Sequence, residues 1–414
     1  MALEDRLSSD VAEIEHDVVE LRHRLHRRPE IGLELPETQR AVLDALADLP
    51  LEVSTGATCS SVTAVLRGTG AAAATGAGIP RPTVLLRGDM DALPVQEATG
   101  AEFTSTVDGA MHACGHDLHT AMLVGAARLL SAHRSALAGD VVFMFQPGEE
   151  GWDGAGRMLA EGVLDAAGTR AQRAYGVHVM AGKLPQHQFT TRPGTLMAAS
   201  DELKVTVRGA GGHGSAPHRA KDPVTVAAEL LTALQTMVTR QFDIFDPVVI
   251  TVGSFHAGTR RNIIPEEAVF EATVRSFSPA ARERVRAASV RLCETIAAAH
   301  GLTADVKYTT EYPVTVNDAA QAAFVTGVVA DVFGESRFTA MPVPDPGAED
   351  FSRVLEQVPG CYLFLGACPD GDYDTAEDNH SPRAVFDDAV LTDGSLLHAH
   401  LAVRALRDLT ASAA

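Results

Sequence analysis

Aromatic residues are scarce in this chain: they make up 5% of its 414 residues, and Trp152 is the one tryptophan. Single-stranded nucleic acids are held by stacking bases on aromatic side chains, so the composition argues against that class of partner. Positive charge is short as well. Thirty-four Lys and Arg face 54 Asp and Glu, giving a formal net charge of −20 with no basic cluster, and a polyanion would be repelled. No stretch approaches the ~18–20 consecutive apolar residues of a membrane span. The opening MALEDRLSSDVAEIEHDVVELRHRL puts acids where a secretory signal carries basic residues, and no apolar segment follows. Cysteine is sparse and odd in number: Cys59, Cys114, Cys293, Cys361 and Cys368. That count does not suit a disulfide framework, so a reducing, cytoplasmic location is expected. What remains is ordinary globular material, 46% hydrophobic and 21% charged, long enough for two or three domains.

Along the chain, Val11, Ile14, Val18, Leu21 and Leu25 recur at three- and four-residue steps, predicting an amphipathic helix over 10–28. A second helix is expected in PETQRAVLDALADLP. The apolar runs SVTAVLRG, TVLLRGD and DVVFMFQP read as strands, with a helix over 117–133 between the last two. This alternation predicts an α/β domain: a mainly parallel sheet with helices on both faces. Near residue 195 the texture changes. DELKVTVRG, a helix over 222–241, VVITVGSF, AVFEATVRSF, a helix over 279–299 and LTADVKYTT follow the β-α-β-β-α-β order of a ferredoxin-like unit. The expected organisation is therefore a catalytic domain in two parts, 1–194 and 311–414, interrupted by an inserted α+β lid or dimerisation domain, 195–310.

The densest chemistry lies in MHACGHDLH, with His112, Cys114, His116 and His119. Cys114 and His116 fall on the turn entering the 117–133 helix, where the dipole favours a thiolate, and thiolate with imidazole suits zinc-like cations. The plainer alternative is a buried cysteine with solvent histidines around a helix cap. FMFQPGEE brings Glu149 and Glu150 to a strand end. One could ligate a cation and the other accept a proton from water, or both could be a solvated pair. LLRGDMDALP releases Asp89 and Asp91, which could orient a metal-bound histidine or form an Asx turn before Pro94. His178 in YGVHV and His380 in DNHSP are isolated, and a lone histidine is more often structural than a ligand.

Taken together, MHACGHDLHT, FQPGEEG, GVHV, GGHGSAPH, RNIIPEE and DNHSP resemble, in order and approximate spacing, the motifs of the aminoacylase/carboxypeptidase family of dinuclear metallo-hydrolases. The resemblance spans roughly residues 20–405 and is strongest to the amidohydrolase branch, with its hippurate hydrolases and auxin-conjugate hydrolases. It implies metal ligands Cys114, His116, Glu150, His178 and His380, with Cys114 bridging two divalent cations (zinc, or manganese, cobalt or nickel). Glu149 would be the general base and Asp91 the aspartate that supports a ligand. Asp89 falls where other branches have a ligand histidine. His213 would stabilise an oxyanion, and Asn262 and Arg275 would bind a substrate carboxylate. From the residues alone, His213 is a solvent histidine on a Gly-rich hairpin and Arg275 an outward strand residue paired with Glu271. GAEDF resembles a loop near the family's cleft and receives no chemical step, and His112 and His119 receive no role.

The expectation is thus a metal-dependent amidohydrolase of N-acyl amino acids, acting on a small carboxylate-bearing substrate as a homodimer, without nucleic-acid or membrane partners. A dipeptidase or carboxypeptidase using the same metals is the alternative. A third reading takes Gly68, Gly70 and Ala73 as a dinucleotide fingerprint with Asp89 on the ribose. It lacks room for the required helix before the next strand, so a loop is the better account.

Overall fold

The computed structural model of the chain describes residues 3–70, 81–369 and 373–413. Two compact units emerge. The first comprises Met1–Gly194, Val316–Pro342 and Arg353–Ala414, and the second Thr195–Thr315 with Val343–Ser352. The short return of 343–352 to the second unit leaves no change of texture in the sequence; it is made by Asp345, which bridges to Met197.

The first unit is built on eight strands in the order Leu51–Thr55, Val62–Leu66, Asp140–Gln146, Thr83–Asp89, Arg173–Met180, Gly360–Gly366, Phe189–Thr191, Phe338–Ala340. Its four central strands, 140–146, 83–89, 173–180 and 360–366, run parallel. Every residue of 83–89, 140–146 and 360–366 is buried, so both faces of the sheet centre are covered. This is why these strands read as unbroken apolar runs rather than alternating ones. The helices Leu3–His26, His116–Ala132 and Leu391–Ala413 pack on one another, and the latter two lie on the 83–89 strand. Their apolar stripes join the sheet in one large core.

In the second unit the four antiparallel strands lie in the order Val248–Ala257, Glu267–Ser276, Ala199–Arg208, Thr303–Tyr312. The helices Pro223–Gln241 and Pro279–Ala299 begin with proline and are capped by Asp222 and Ser278, which accept from the backbone N–H of Val224 and Ala281. Leu203, Val205 and Val207 alternate into a second core with Leu230, Leu234 and Val285.

Ala73 and most of the glycine run that suggested a dinucleotide site lie outside the described residues. Gly68 and Gly70 have a local explanation: a Cβ there would sit 2.1 Å from the Gly139 carbonyl oxygen and 2.6 Å from that of Leu137. The strand before them, Val62–Leu66, runs antiparallel to Asp140–Gln146. A dinucleotide fingerprint instead opens from the first strand of a parallel βαβ unit.

Candidate metal centre

Parallel strands with crossover helices gather their functional groups at the strands' carboxyl ends, and Asp89, Glu149, Glu150 and His178 follow that rule. The loop after Thr83–Asp89 delivers Cys114 and His116 to the first turn of helix His116–Ala132. Gly115 makes this turn possible, with φ +79° and a Cα so close to Val179 that a Cβ would lie 2.3 Å from its Cγ2.

Potential donor atoms converge here in two triads that share one residue. Cys114, His116 and His178 form one, and Cys114, Glu150 and His380 the other, with the donors in each within 4.8 Å of one another. Cys114 Sγ lies 3.4 Å from His178 Nε2, and His380 Nε2 lies 3.1 Å from Glu150 Oε1. Glu149 groups with His116 and Glu150. His112, His116 and His119 are buried, which removes the reading of solvent histidines around a cap.

The surroundings fix how each histidine can act. His178 Nδ1–H donates to its neighbour's carbonyl, that of Val179, at 2.8 Å, so its lone pair is on Nε2 and faces the sulfur. Burial, reinforced by His119, keeps His178 neutral. His119 accepts from the Val179 N–H at Nε2 (2.8 Å) and therefore donates from Nδ1 to Asp89 (2.6 Å). His380 adopts φ +72°, an uncommon conformation for a side-chain-bearing residue. Its N–H donates to the Ala113 carbonyl. Hydrogen bonding to Cys114 and Glu150 pushes its pKa up to about 10, so ligation requires it to release that proton.

His116 is the strongest indication that the cluster suits a cation. Both its nitrogens are buried without a hydrogen bond. Around them stand Asp91 Oδ1 at 3.5 Å from Nδ1, and Asp89 Oδ2 at 3.7 Å and Glu150 Oε1 at 4.0 Å from Nε2. Burial opposes charge on His116, yet Asp89 and Asp91 outweigh it and hold the imidazole protonated well above its usual range. A cation meets the same negative field, and the donor set of thiolate, imidazoles and carboxylates suits zinc or a neighbouring divalent metal.

Asp91 forms no Asx turn. Its two oxygens accept the backbone N–H groups of Glu149 and Glu150 at 2.9 and 3.0 Å, which fixes the strand-end turn carrying both carboxylates. Asp89 sits between Arg87 (2.6 Å) and His119. Three residues had not been assigned from sequence. Arg87 also bonds Gln146 and Tyr362. His119 links Asp89 to the strand bearing His178. Asn379 donates to the carbonyls of Val179 and Cys114 and accepts from Ala181 N–H. The position of His119, one turn after His116, and that of Asn379, beside His380, were the available signals.

His213, Asn262 and Arg275 belong to the second unit. His213 Nδ1 bonds Ser215, and the Gly214 N–H donates to the Asn262 carbonyl at 2.9 Å, so Asn262 sits at the end of the small two-stranded element that carries His213. Arg275 is half-buried and donates to Ser200 (2.9 Å) and Thr273. The alternative that pairs Arg275 with Glu271 is not what is found: Lys204 lies directly opposite Glu271 and bonds it at 2.6 Å.

A mainly parallel α/β sheet with such a Cys–His–carboxylate cluster at its strand ends has the donor set of a site for divalent cations. Residues 85–404 match the family described as Peptidase family M20/M25/M40. The chain is 37% identical over 408 residues to thermostable carboxypeptidase 2 of Saccharolobus solfataricus, spanning 98% of this chain and 99% of that one. It is 34% identical over 390 residues to N-acetyl-L-cysteine deacetylase of Bacillus subtilis, spanning 93% and 87%. A crystal structure of a dinuclear metal-binding peptidase of the M20 family from Bacillus subtilis superposes with a TM-score of 0.80 at 31% identity, covering 96% of this chain and 99% of that one. This chain belongs to the M20 peptidase family, whose members hydrolyse amide bonds.

Proposed function

We propose that the protein is a metal-dependent amidohydrolase of N-acyl amino acids, with two divalent cations held by Cys114, His116, Glu150, His178 and His380. The observation that carries this reading is the pair of donor triads sharing Cys114, with Glu149 beside them. Bound there, the cations (zinc, or manganese, cobalt or nickel) would supply Lewis acidity toward water and the scissile carbonyl. Glu149 accepts the proton of the attacking water and delivers it to the leaving amine. Asp91 keeps Glu149 in register through the backbone of its turn. His213 donates to the developing oxyanion, and Asn262 with Arg275 binds the substrate carboxylate through amide and guanidinium donors.

The similarity to N-acetyl-L-cysteine deacetylase favours an N-acyl substrate. The identity with a thermostable carboxypeptidase favours a second reading, a carboxypeptidase or dipeptidase using the same residues. Metal-reconstituted protein assayed on N-acetyl amino acids, N-blocked peptides and unblocked dipeptides separates the two. Higher kcat/KM on N-acetyl amino acids is expected; a preference for either peptide class would replace the first reading with the second. A cytoplasmic homodimer completes the proposal. All five cysteines are free, as in a reducing compartment, and strand Val248–Ala257 leaves the second unit with an edge bearing exposed Val249 and Phe255.

A further inference from the structure

A second buried ionic cluster lies one residue beyond the metal-binding turn. Asp117, which follows His116, is fully buried, and its Oδ2 meets two cationic groups from the first helix. Arg22 Nε stands 2.9 Å away and His26 Nδ1 2.8 Å away. They are four residues apart on helix Leu3–His26, so both project from one face. His26 Nε2 also reaches Glu97 Oε1 at 3.3 Å. A neutral imidazole has a single N–H and could not donate to both carboxylates, so this geometry calls for imidazolium. Glu97 is in turn fixed by the Ser105 N–H at 2.6 Å and the Thr99 hydroxyl. Arg22 extends to Asp388 at 3.2 Å and lies over the Phe103 ring.

Four ionised groups buried together are an expensive way to join two helices, since apolar residues of similar volume would serve stability as well or better. Their placement gives them another use. Asp117 offers a grip on the first turn of helix His116–Ala132 that does not touch the donor atoms, on the side away from the bonds that His119 makes to Asp89 and Val179. That turn is entered through Gly115 in the left-handed region, a residue with no side chain of its own to anchor it. We infer that Arg22 and His26 are positioning residues for the metal centre: they clamp Asp117 and so aim Cys114 and His116. The inference rests on the assignment of those two residues as ligands.

The test uses the full chain stripped of metal and titrated with Co²⁺, reading the thiolate-to-cobalt absorption band that Cys114 would generate. His26→Gln removes the charge and one donor. Arg22→Lys keeps the charge and removes the planar fork. Leu7→Ala is the control, truncating a fully buried residue of the same helix elsewhere in the core. Melting curves establish that each variant is folded. Support is a cobalt affinity weakened ~10- to 100-fold in His26→Gln and Arg22→Lys, with wild-type affinity in Leu7→Ala despite its lower melting temperature. Wild-type affinity in His26→Gln and Arg22→Lys, or an equal weakening in Leu7→Ala, overturns the clamp alone. Failure of both clamp variants to fold also overturns it, because the cluster would then be a stability element. A wild-type protein without the band removes the ligand assignment of Cys114 itself.

Discussion

Replacing Asp91 by Asn tests how the strand-end turn is held. The two carboxylate oxygens each accept one backbone N–H, from buried Glu149 at 2.9 Å and half-buried Glu150 at 3.0 Å. Asparagine is nearly isosteric but keeps one acceptor, so one of the two N–H groups would face an NH₂ group instead. A buried donor left unsatisfied costs about 1–3 kcal/mol, and bonds to a charged acceptor are about twice as strong as neutral ones. A loss of about 2–3 kcal/mol follows. If it falls on the alignment of Glu149, kcat drops about 30- to 150-fold, since about 1.4 kcal/mol is a factor of ten. The assay is kcat and KM on an N-acetyl amino acid, alongside metal content by elemental analysis. The expected pattern is a fall in kcat with KM and metal content little changed. A variant within twofold of wild-type kcat would refute the reasoning. Lower metal content with normal turnover per loaded site would show that Asp91 acts through His116 instead, whose Nδ1 it faces at 3.5 Å.

Other consequences follow from single residues. Burial holds His398 down to about 3, with Nδ1 lacking a hydrogen bond. The unfolded chain takes up that proton near pH 6.5 and the folded chain does not, so stability falls by about 1.4 kcal/mol per pH unit between roughly 6.5 and 3. Denaturant titrations at pH 7 and 4.5 should therefore show a shallower acid loss in His398→Leu than in wild type, and equal losses would contradict this. Gly115→Ala must place a Cβ 2.3 Å from Val179 Cγ2 in a left-handed backbone. The conformation alone costs about 1–2 kcal/mol, so unfolding experiments should show at least that loss; an unchanged midpoint would mean the turn is not held as described. Burial pushes the Cys293 and Cys361 thiols up to about 12. Neither should react with a thiol reagent in folded protein at pH 8, and both should react after denaturation, as peptide mapping can follow.

The fold was largely legible because its signals are local. The helices expected over 222–241 and 279–299 are found as Pro223–Gln241 and Pro279–Ala299, each starting at a capping residue followed by proline. The buried strands 83–89 and 140–146 are written as apolar runs. Cys114, His116, Glu149, Glu150, His178 and His380 each sit in a short motif that marks chemistry. The residues that hold them were not legible in the same way. Asp89, His119 and Asn379 gain their meaning only once helix 116–132, strand 173–180 and the loop at 379 meet. Arg22 and His26 lie about ninety residues before the turn they grip. The alternative partner for Arg275 failed for a related reason: Glu271 is near in sequence, but strand register puts Lys204 opposite it.

Whether Glu149 moves the proton in a metal-supported amide hydrolysis is decided by Glu149→Gln. In metal-reconstituted protein this substitution keeps the side chain's shape and removes its basicity. The expected result is the same metal content as wild type and a kcat on N-acetyl amino acids lower by at least ~10². Turnover near that of wild type, with metal content equal, would contradict it.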